Sequence, residues 1–336
     1  MSHIHFRDPG RRRFLGLAAL SAAALDLGMF GRAAHAAAPA LPKPRQIDAG
    51  PLSVGYVEMG PADGTVVLLL HGWPYDIHSF AEVAPMLAAA GYRVVVPYLR
   101  GYGTTMFRSA ATPRNAQQAA LATDAIALLD ALGIRKAIIA GFDWGARTAD
   151  CVAALWPERC IGLVSVSGYL IGSQQANAAP LPPKAELSWW YQFYFATERG
   201  RLGYARNTKA FNRLIWQLAS PQWHFDDATY DRSAQAFDNP DHVAVVIHNY
   251  RWRLGLAEGE PRHDAIEARL AAFPAIAVPT ITMEGDANGA PHPAPEAYRA
   301  RFTGRYEHRL IRGGIGHNLP QEAPAAFADA IRAVVS

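Results

Sequence analysis

The sequence predicts an α/β protein: a mostly parallel sheet flanked by helices, with a helical segment inserted between two core strands. Three observations carry this prediction. Short apolar runs alternate with segments of helical periodicity in the first half of the chain, the alternation stops over residues 169–272, and strands return afterwards. Because crossover helices join parallel strands, this alternation is typical of a parallel sheet with helices on both faces.

Six short apolar runs bounded by turn residues predict strands. These runs cover residues 66–70, 94–97, 136–140, 161–166, 280–284 and 308–311. Apolar residues at helical spacing predict helices between them, and glycines follow the first two helices as expected at helix ends. The predicted helices are 79–90, 115–132, one ending near 154, and 324–335.

The inserted segment is helical in pattern and holds five of the eight tryptophans. Since parallel sheets bind ligands outside the carboxyl ends of their strands, we expect it to form a lid over that edge. The predicted organisation is a core first part, a lid and a core second part, at residues 47–168, 169–272 and 273–336.

The N-terminal segment predicts a removable leader. Residues 1–36 combine Arg11-Arg12-Arg13-Phe14-Leu15, a short apolar stretch and the exit Ala34-His35-Ala36. This pattern resembles a twin-arginine signal peptide, and the alternative is an amphipathic or disordered tail. The apolar stretch is shorter than the roughly 20 residues of a bilayer span, so no stable membrane insertion is expected. We expect an exported protein, periplasmic or secreted, with residues 37–46 as a linker.

Composition excludes several classes of protein. The five arginines and two aspartates of residues 1–36 account for the whole net charge of +3, so the remainder has no basic face for nucleic acid. Two cysteines cannot build a disulfide scaffold or a cysteine-ligated zinc site. No histidine or carboxylate spacing predicts a metal site, and we expect neither metal nor cofactor.

A sharp turn predicts the nucleophile. Residues 140–146 read AGFDWGA between an apolar strand and a helix, with small residues two positions before and after Asp143. Such a turn holds the central side chain in a strained, exposed position. The alternative is an ordinary glycine-rich loop in which Asp143 caps the next helix.

Two further turns supply partners for that carboxylate. In the first, residues 71–74, the N–H of Trp73 can act with that of Trp144 as an oxyanion hole, while His71 is expected to be structural. In the second, residues 313–318, His317 follows the last strand in a glycine-rich loop and fits the general base.

With these motifs the chain resembles the α/β-hydrolase superfamily, and within it the epoxide hydrolases, over about residues 50–335. The resemblance rests on His71-Gly72-Trp73-Pro74, Arg100-Gly101-Tyr102-Gly103, Gly141-Phe142-Asp143-Trp144-Gly145 and Gly316-His317. It implies an α/β-hydrolase fold with a helical lid. It also implies lid tyrosines at Tyr191 and Tyr250, whose alternative is a core role, while Tyr194 is expected to be a core aromatic.

An aspartate nucleophile suits saturated carbon rather than esters or amides, whose attack would form an anhydride. The predicted reaction opens an epoxide to a vicinal diol through an alkyl ester on Asp143, which water activated by His317 then hydrolyses. Tyr191 and Tyr250 hold the leaving oxygen. The aromatic lid favours an apolar or aromatic epoxide as the small-molecule partner. We expect its pocket to include Pro74, Trp190, Phe193 and Trp252.

The third member of the catalytic set departs from the family pattern. Relatives commonly place an acid three residues after the glycine at the strand end, and Gly285 leads there to Asn288. The nearest carboxylate is Asp286, which we expect to orient His317, with turn formation as its alternative role. Asn288 is the fallback, holding the ring by a neutral hydrogen bond.

Two rival functions remain. A haloalkane dehalogenase would use the same nucleophile, although those enzymes commonly carry Asn where this chain has Trp73. Fluoroacetate dehalogenases usually carry arginines next to the nucleophile, and Arg147, four residues on, does not match that pattern. A rival from another class is a non-catalytic protein that binds a ligand under the lid, which the doubtful acid position favours.

Overall fold

The computed structural model describes residues 41–336, and the α/β prediction is confirmed there. The predicted signal peptide, residues 1–36, lies outside the described residues, as does the first part of the predicted linker, 37–46. The first strand begins at Arg45, inside that predicted linker.

Nine strands of the described part form one sheet. They are β1 Arg45–Ala49, β2 Leu52–Met59, β3 Val66–Leu70, β4 Arg93–Pro97, β5 Met106–Phe107, β6 Ala137–Gly141, β7 Cys160–Val166, β8 Thr280–Gly285 and β9 Tyr306–Ile311. Their order is β1-β2-β4-β3-β6-β7-β8-β9, with β5 beside β2. The pairs from β4 to β9 are parallel, whereas β2 pairs antiparallel with β1, β4 and β5.

Helices flank and cover this sheet. The α-helices of residues 41–336 are α1 Val83–Ala89, α2 Gln118–Ala131, α3 Trp144–Leu155, α4 Gln174–Asn177, α5 Pro183–Ser188, α6 Trp190–Ala196, α7 Glu198–Ala219, α8 Asp227–Ala234, α9 His242–Arg253, α10 Asp264–Ala271, α11 Pro295–Tyr298, α12 Leu319–Glu322 and α13 Pro324–Ala333. Short 3₁₀ turns lie at Ile77–Phe80, Pro157–Arg159, Gln235–Asp238, Pro261–His263 and Arg299–Arg301.

The central strands are apolar because both faces are covered. All five residues of β6 are buried, and α3 packs against β3, β6 and β7. Helix α1 packs beside α13, and α2 beside α3. Continuous apolar runs are typical of such doubly covered strands, which is why the sequence showed them. The antiparallel strands β1, β2 and β5 were not predicted.

Helices α4 to α10 lie between β7 and β8, in the segment for which the sequence predicts a lid, and interrupt the alternation of strand and helix. Helix α6 packs on α7 and α9. The indole of Trp216 on α7 donates to the carbonyl of Pro74 at 2.7 Å and so ties the lid to the core. Within residues 41–336, no helix combines the length and apolarity needed to cross a membrane.

Candidate active site

The turn after β6 places Asp143 at the start of α3. Its backbone has φ +54° and ψ −122°, a positive-φ conformation that residues with side chains rarely adopt. Gly145 permits the turn, because a Cβ there would overlap the carbonyl oxygen of Leu70. The Asp143 side chain accepts no capping bond from α3 and instead lines a cavity. The strained turn therefore presents the carboxylate rather than capping the helix.

A backbone N–H group holds this carboxylate: that of Trp73 donates to Oδ1 at 2.8 Å. The N–H of Trp144, the next residue in the chain, also favours the charged form of Asp143. Burial works to raise the pKa of Asp143, but the bond and charge of His317 and the two N–H groups outweigh it, and the pKa is lowered. The structure thus brings both predicted oxyanion-hole donors to an ionised aspartate.

His317 lies on the loop after β9 with an oxygen acceptor beside each ring nitrogen. Nε2 is 3.3 Å from Asp143 Oδ2, and Nδ1 is 3.2 Å from Asn288 Oδ1. Burial disfavours the charged ring most strongly. The hydrogen bond and charge of Asp143 outweigh that effect, and the pKa of His317 is raised. Both shifts favour an ion pair between the two groups in the free protein.

The structure does not bring Asp286 to His317, contrary to the prediction. Its carboxylate accepts the N–H groups of Gly313, Gly314 and Ile315 at 3.0, 2.9 and 3.0 Å. The Asp286 side chain thus faces the backbone of the glycine-rich loop. The ring contact belongs to the fallback residue Asn288, and Asp286 anchors the loop that carries the histidine.

A buried carboxylate missed in the sequence stands behind Asn288. The amide Nδ2 donates to Glu284 Oε1 at 2.8 Å, and Glu284 is 6% exposed. This bond fixes the amide so that its oxygen, and not its nitrogen, faces His317. Glu284 is the last residue before the glycine that ends β8. Nothing in the sequence distinguished it from an ordinary strand residue, so its contact with Asn288 was not predicted.

The two predicted lid tyrosines meet beside Asp143, the predicted nucleophile. Tyr191 on α6 and Tyr250 on α9 pack edge to face, with ring centroids 5.3 Å apart, and both line the cavity with Asp143. Burial raises the pKa of each hydroxyl, so both remain protonated and able to donate at neutral pH. Tyr194 stacks on Phe211 instead, among the lid aromatics, and does not line this cavity.

Trp73 connects Asp143 to the helices between β7 and β8. While its backbone N–H binds Asp143, its ring lies 5.0 Å from Tyr191 and 5.1 Å from Tyr250. The indole N–H donates to the hydroxyl of Tyr204 on α7 at 2.9 Å. His71, two residues before Trp73, is fully buried. Burial lowers the pKa of His71 to about 4, which agrees with the structural role expected of this residue.

The cavity has a volume of about 380 Å³ and lies between the strand ends and the lid. Of the four predicted pocket residues only Trp190 lines it. Phe193 is 47% exposed and does not line the cavity, and Trp252 lines a smaller neighbouring cavity of about 160 Å³. Pro74 contacts the lid instead, because its carbonyl accepts the indole N–H of Trp216.

The lining residues that were not predicted include two arginines, Arg147 and Arg253. Arg147 was set aside because it is four residues from the nucleophile, yet one helical turn brings it back to the same face. No group of three or more His, Cys, Asp or Glu side chains in residues 41–336 is arranged to hold a metal ion.

Comparison with known proteins agrees with this architecture. Residues 65–220 match a family model described as the alpha/beta hydrolase fold. A crystal structure of a candidate epoxide hydrolase from Klebsiella pneumoniae is 65% identical, covers 87% of this chain and 97% of its own, and superposes with a TM-score of 0.87. The chain belongs to the α/β-hydrolase superfamily.

Curated relatives of this α/β-hydrolase are more distant. Epoxide hydrolase B of Mycobacterium tuberculosis is 38% identical over 150 residues, and this match spans 41% of each chain, well under half of the relative. The magnesium-chelatase 30 kDa subunit of Rhodobacter capsulatus is 30% identical over 274 residues, 79% of this chain and 85% of that one. The epoxide hydrolases among these relatives indicate a hydrolase.

Proposed function

We propose that this α/β-hydrolase opens epoxides to vicinal diols through an alkyl ester on Asp143. One observation carries the proposal: an ionised aspartate and the protonated hydroxyls of Tyr191 and Tyr250 line the same cavity. A carboxylate attacks carbon only when the leaving group is good or strained, and a leaving epoxide oxygen needs a proton donor.

In the first half-reaction Asp143 Oδ2 attacks an epoxide carbon. The carbon–oxygen bond of the ring breaks, and the released oxygen takes a proton from one of the two tyrosines. Oδ1 keeps its hydrogen bond from the Trp73 N–H, takes a second from the Trp144 N–H, and becomes the carbonyl oxygen of the ester. Those donors are then already in place for the oxyanion of the next step.

Alkylation itself turns His317 into a base. The charge of Asp143 is what raises the pKa of the histidine, and the ester carries no charge. Burial then dominates and lowers the pKa, so the ring loses its proton from Nε2 and can restore the tyrosine. Nδ1–H remains bonded to Asn288 Oδ1, whose orientation Glu284 fixes.

In the second half-reaction neutral His317 takes a proton from water, and the hydroxide attacks the ester carbon of Asp143. The oxyanion forms on Oδ1 against the two N–H groups, and the ester bond breaks. The departing alkoxide of the diol takes the proton of the added hydroxyl, while His317 keeps the proton from water. Asp143 returns to the carboxylate, and its ion pair with His317 re-forms.

A halide leaving group fits this cavity less well. Halide binding needs N–H donors, but the indole N–H of Trp73 is bonded to Tyr204 and the backbone N–H of Trp73 to the nucleophile. The tyrosine pair has no task in that reaction. Dehalogenation therefore remains the comparison reaction in the test below.

The decisive test is intact-protein mass spectrometry of a His317→Gln variant incubated with styrene oxide or 1-bromobutane. An adduct of the full epoxide mass, mapped to Asp143 and missing in an Asp143→Asn variant, supports the proposal. A butyl adduct alone would make the protein a dehalogenase. No adduct from either reagent, with an inactive wild type, would favour a non-catalytic ligand-binding protein.

The tyrosines have a matched control on their own helix. Tyr191→Phe should slow alkylation at least about tenfold, and the Tyr191→Phe, Tyr250→Phe double variant about 10²–10⁴-fold, as loss of acid catalysis does. Tyr194→Phe should leave the rate within about twofold. Rapid-quench measurement of the alkyl-enzyme gives these rates, and equal effects of Tyr191→Phe and Tyr194→Phe would remove the tyrosines from the mechanism.

We also propose export by the twin-arginine route, supported by Arg11, Arg12 and the Ala34-His35-Ala36 exit. The mature protein recovered from the periplasm should begin at Ala37. Lysine at both Arg11 and Arg12 should leave the full-length precursor in the cytoplasm, and normal export of that variant would contradict the route.

A further inference from the structure

The cavity contains two cations that the proposed steps leave unused. Arg147 lies on α3, one turn after the nucleophile, and Arg253 is the last residue of α9, three positions after Tyr250. Both line the main cavity together with Asp143, and both also line the smaller cavity beside it. The two guanidinium groups therefore stand where the cavities meet, next to the reacting groups.

Neither arginine is neutralised by the protein around it. No carboxylate of residues 41–336 forms an ion pair with either one. Arg147 Nε donates to the carbonyl of Leu170 at 2.9 Å, and the Arg253 guanidinium lies 5.8 Å from the ring centre of Trp189 and 5.7 Å from that of Tyr250. The remaining N–H donors have no assigned protein acceptor in the described part of the chain.

The electrostatics of the cavity are consequently unbalanced. Among residues 41–336, its lining holds one carboxylate, Asp143, already bonded to His317, against two guanidinium groups. Burial, followed by the neighbouring charge of Arg147, lowers the pKa of Arg253 to about 10, so it still carries its charge at neutral pH. Both arginines are half-buried, and a half-buried guanidinium without an ion-pair partner favours binding of an anion.

We infer that Arg147 and Arg253 form a carboxylate-binding subsite and that the substrate is an epoxide bearing a carboxylate beside an apolar body. The inference rests on the proposed function and narrows its substrate class. A guanidinium presents paired N–H donors that match the two oxygens of a carboxylate. Trp189 and Trp190 supply the apolar wall on the lid side.

The positions of the two arginines also set the orientation of such a substrate. Residues three or four apart on a helix share one face, so Arg253 lies beside Tyr250 and Arg147 beside Asp143. A carboxylate held by the pair places the attached epoxide between nucleophile and oxygen donor. We therefore expect the carboxylate to stand close to the epoxide ring, as in a substituted glycidic acid.

The test compares trans-3-phenylglycidate with its neutral amide, 3-phenylglycidamide. In the wild type, kcat/KM for the acid should exceed that for the amide at least about tenfold, as a charge-assisted bidentate contact provides. Arg253→Met should bring that ratio close to one, and Arg253→Lys should restore part of it. Arg147→Met should lower the ratio in the same direction.

Arg251 on the same helix is the matched control. It bonds the carbonyls of Phe195 and Thr197 and does not line the main cavity. Arg251→Met should keep the wild-type preference for the acid, which separates loss of the subsite from a general weakening of α9. An equal loss of preference in Arg251→Met and Arg253→Met would overturn the subsite.

A second measurement is independent of turnover. Unreactive 3-phenylpropionate should quench the tryptophan fluorescence of the wild type, bind at least about tenfold more tightly than 3-phenylpropanamide, and lose that advantage in Arg253→Met. If this preference appears but no epoxide reacts, the subsite stands and the proposed function fails. If both epoxides react equally well and both ligands bind alike, the function stands and the subsite is overturned.

Discussion

Asn288 lies between His317 and Glu284. A negative charge at position 288 would attract a protonated His317 and repel Glu284, and the Asn288→Asp variant tests this arrangement. The exchange replaces the amide nitrogen 2.8 Å from Glu284 Oε1 by a carboxyl oxygen. At an effective dielectric constant of about 20, two unit charges at that separation repel by roughly 6 kcal/mol. Protonating one carboxyl of ordinary pKa at pH 7 costs less, about 4 kcal/mol, so the folded variant binds a proton instead.

The loss of stability caused by Asn288→Asp becomes smaller as the pH falls. The folded variant holds a proton that the unfolded chain releases, so its stability relative to wild type increases by about 1.4 kcal/mol per unit as pH falls from 7 towards 5. With about 2–4 °C per kcal/mol, the loss of Tm should be about 10 °C at pH 7 and about 4 °C at pH 5.

The double variant Glu284→Gln, Asn288→Asp removes the repulsion and reverses the pair. A carboxylate then faces His317, an amide donates to it from position 284, and Tm at pH 7 should recover to within about 3 °C of wild type. Ester hydrolysis should be faster than in Asn288→Asp alone, because a carboxylate stabilises the imidazolium. Calorimetry at pH 5, 6 and 7 measures the stabilities. A pH-independent loss, or no recovery in the double variant, would refute the contact.

Two further predictions concern the pair and its loop. Decay of the alkyl-enzyme, followed by quench flow, should lose rate only at a pH below the midpoint at which His317 titrates in the free protein by NMR, because the ester removes the charge of Asp143 that raises that pKa. A midpoint at or above that of the free protein would contradict the charge switch. Asp286→Asn should speed hydrogen exchange at Gly313 and Gly314 and lower kcat about two- to tenfold, whereas Asp329→Asn on α13 should change neither. Unchanged hydrogen exchange in Asp286→Asn would mean that the loop is ordered without the Asp286 carboxylate.

Local patterns predicted much of this molecule because they come from local constraints. A strand covered on both faces must be apolar throughout, so β3 and β6 were visible. Strand β2 pairs antiparallel inside the edge strand β1, and no continuous apolar run marked it because Ser53, Gly55 and Glu58 interrupt its sequence. The nucleophile turn needs small residues at fixed offsets from Asp143, which the sequence displays directly.

Side-chain direction and long-range convergence were not visible in the same way. Counting from Gly285 reaches Asn288 and Asp286 equally well, but only the folded turn decides which of them faces His317 and which faces the loop backbone. Arg253 lies far along the chain from Asp143, and a basic residue at a helix end ordinarily indicates a dipole contact. Its place in the cavity follows from how α9 packs.

Trp73 has a consequence for recombining parts of such proteins. One residue of the core contacts the nucleophile with its backbone, both tyrosines with its ring and Tyr204 with its indole N–H. If the lid were replaced by that of a homologue, the indole N–H of Trp73 would lose its acceptor unless the new lid supplied one. The segments that can be exchanged between homologues therefore have to include the residues that contact Trp73. Chimaeras joined at residues 169 and 272 should retain activity only when the new lid carries a tyrosine at the position of Tyr204.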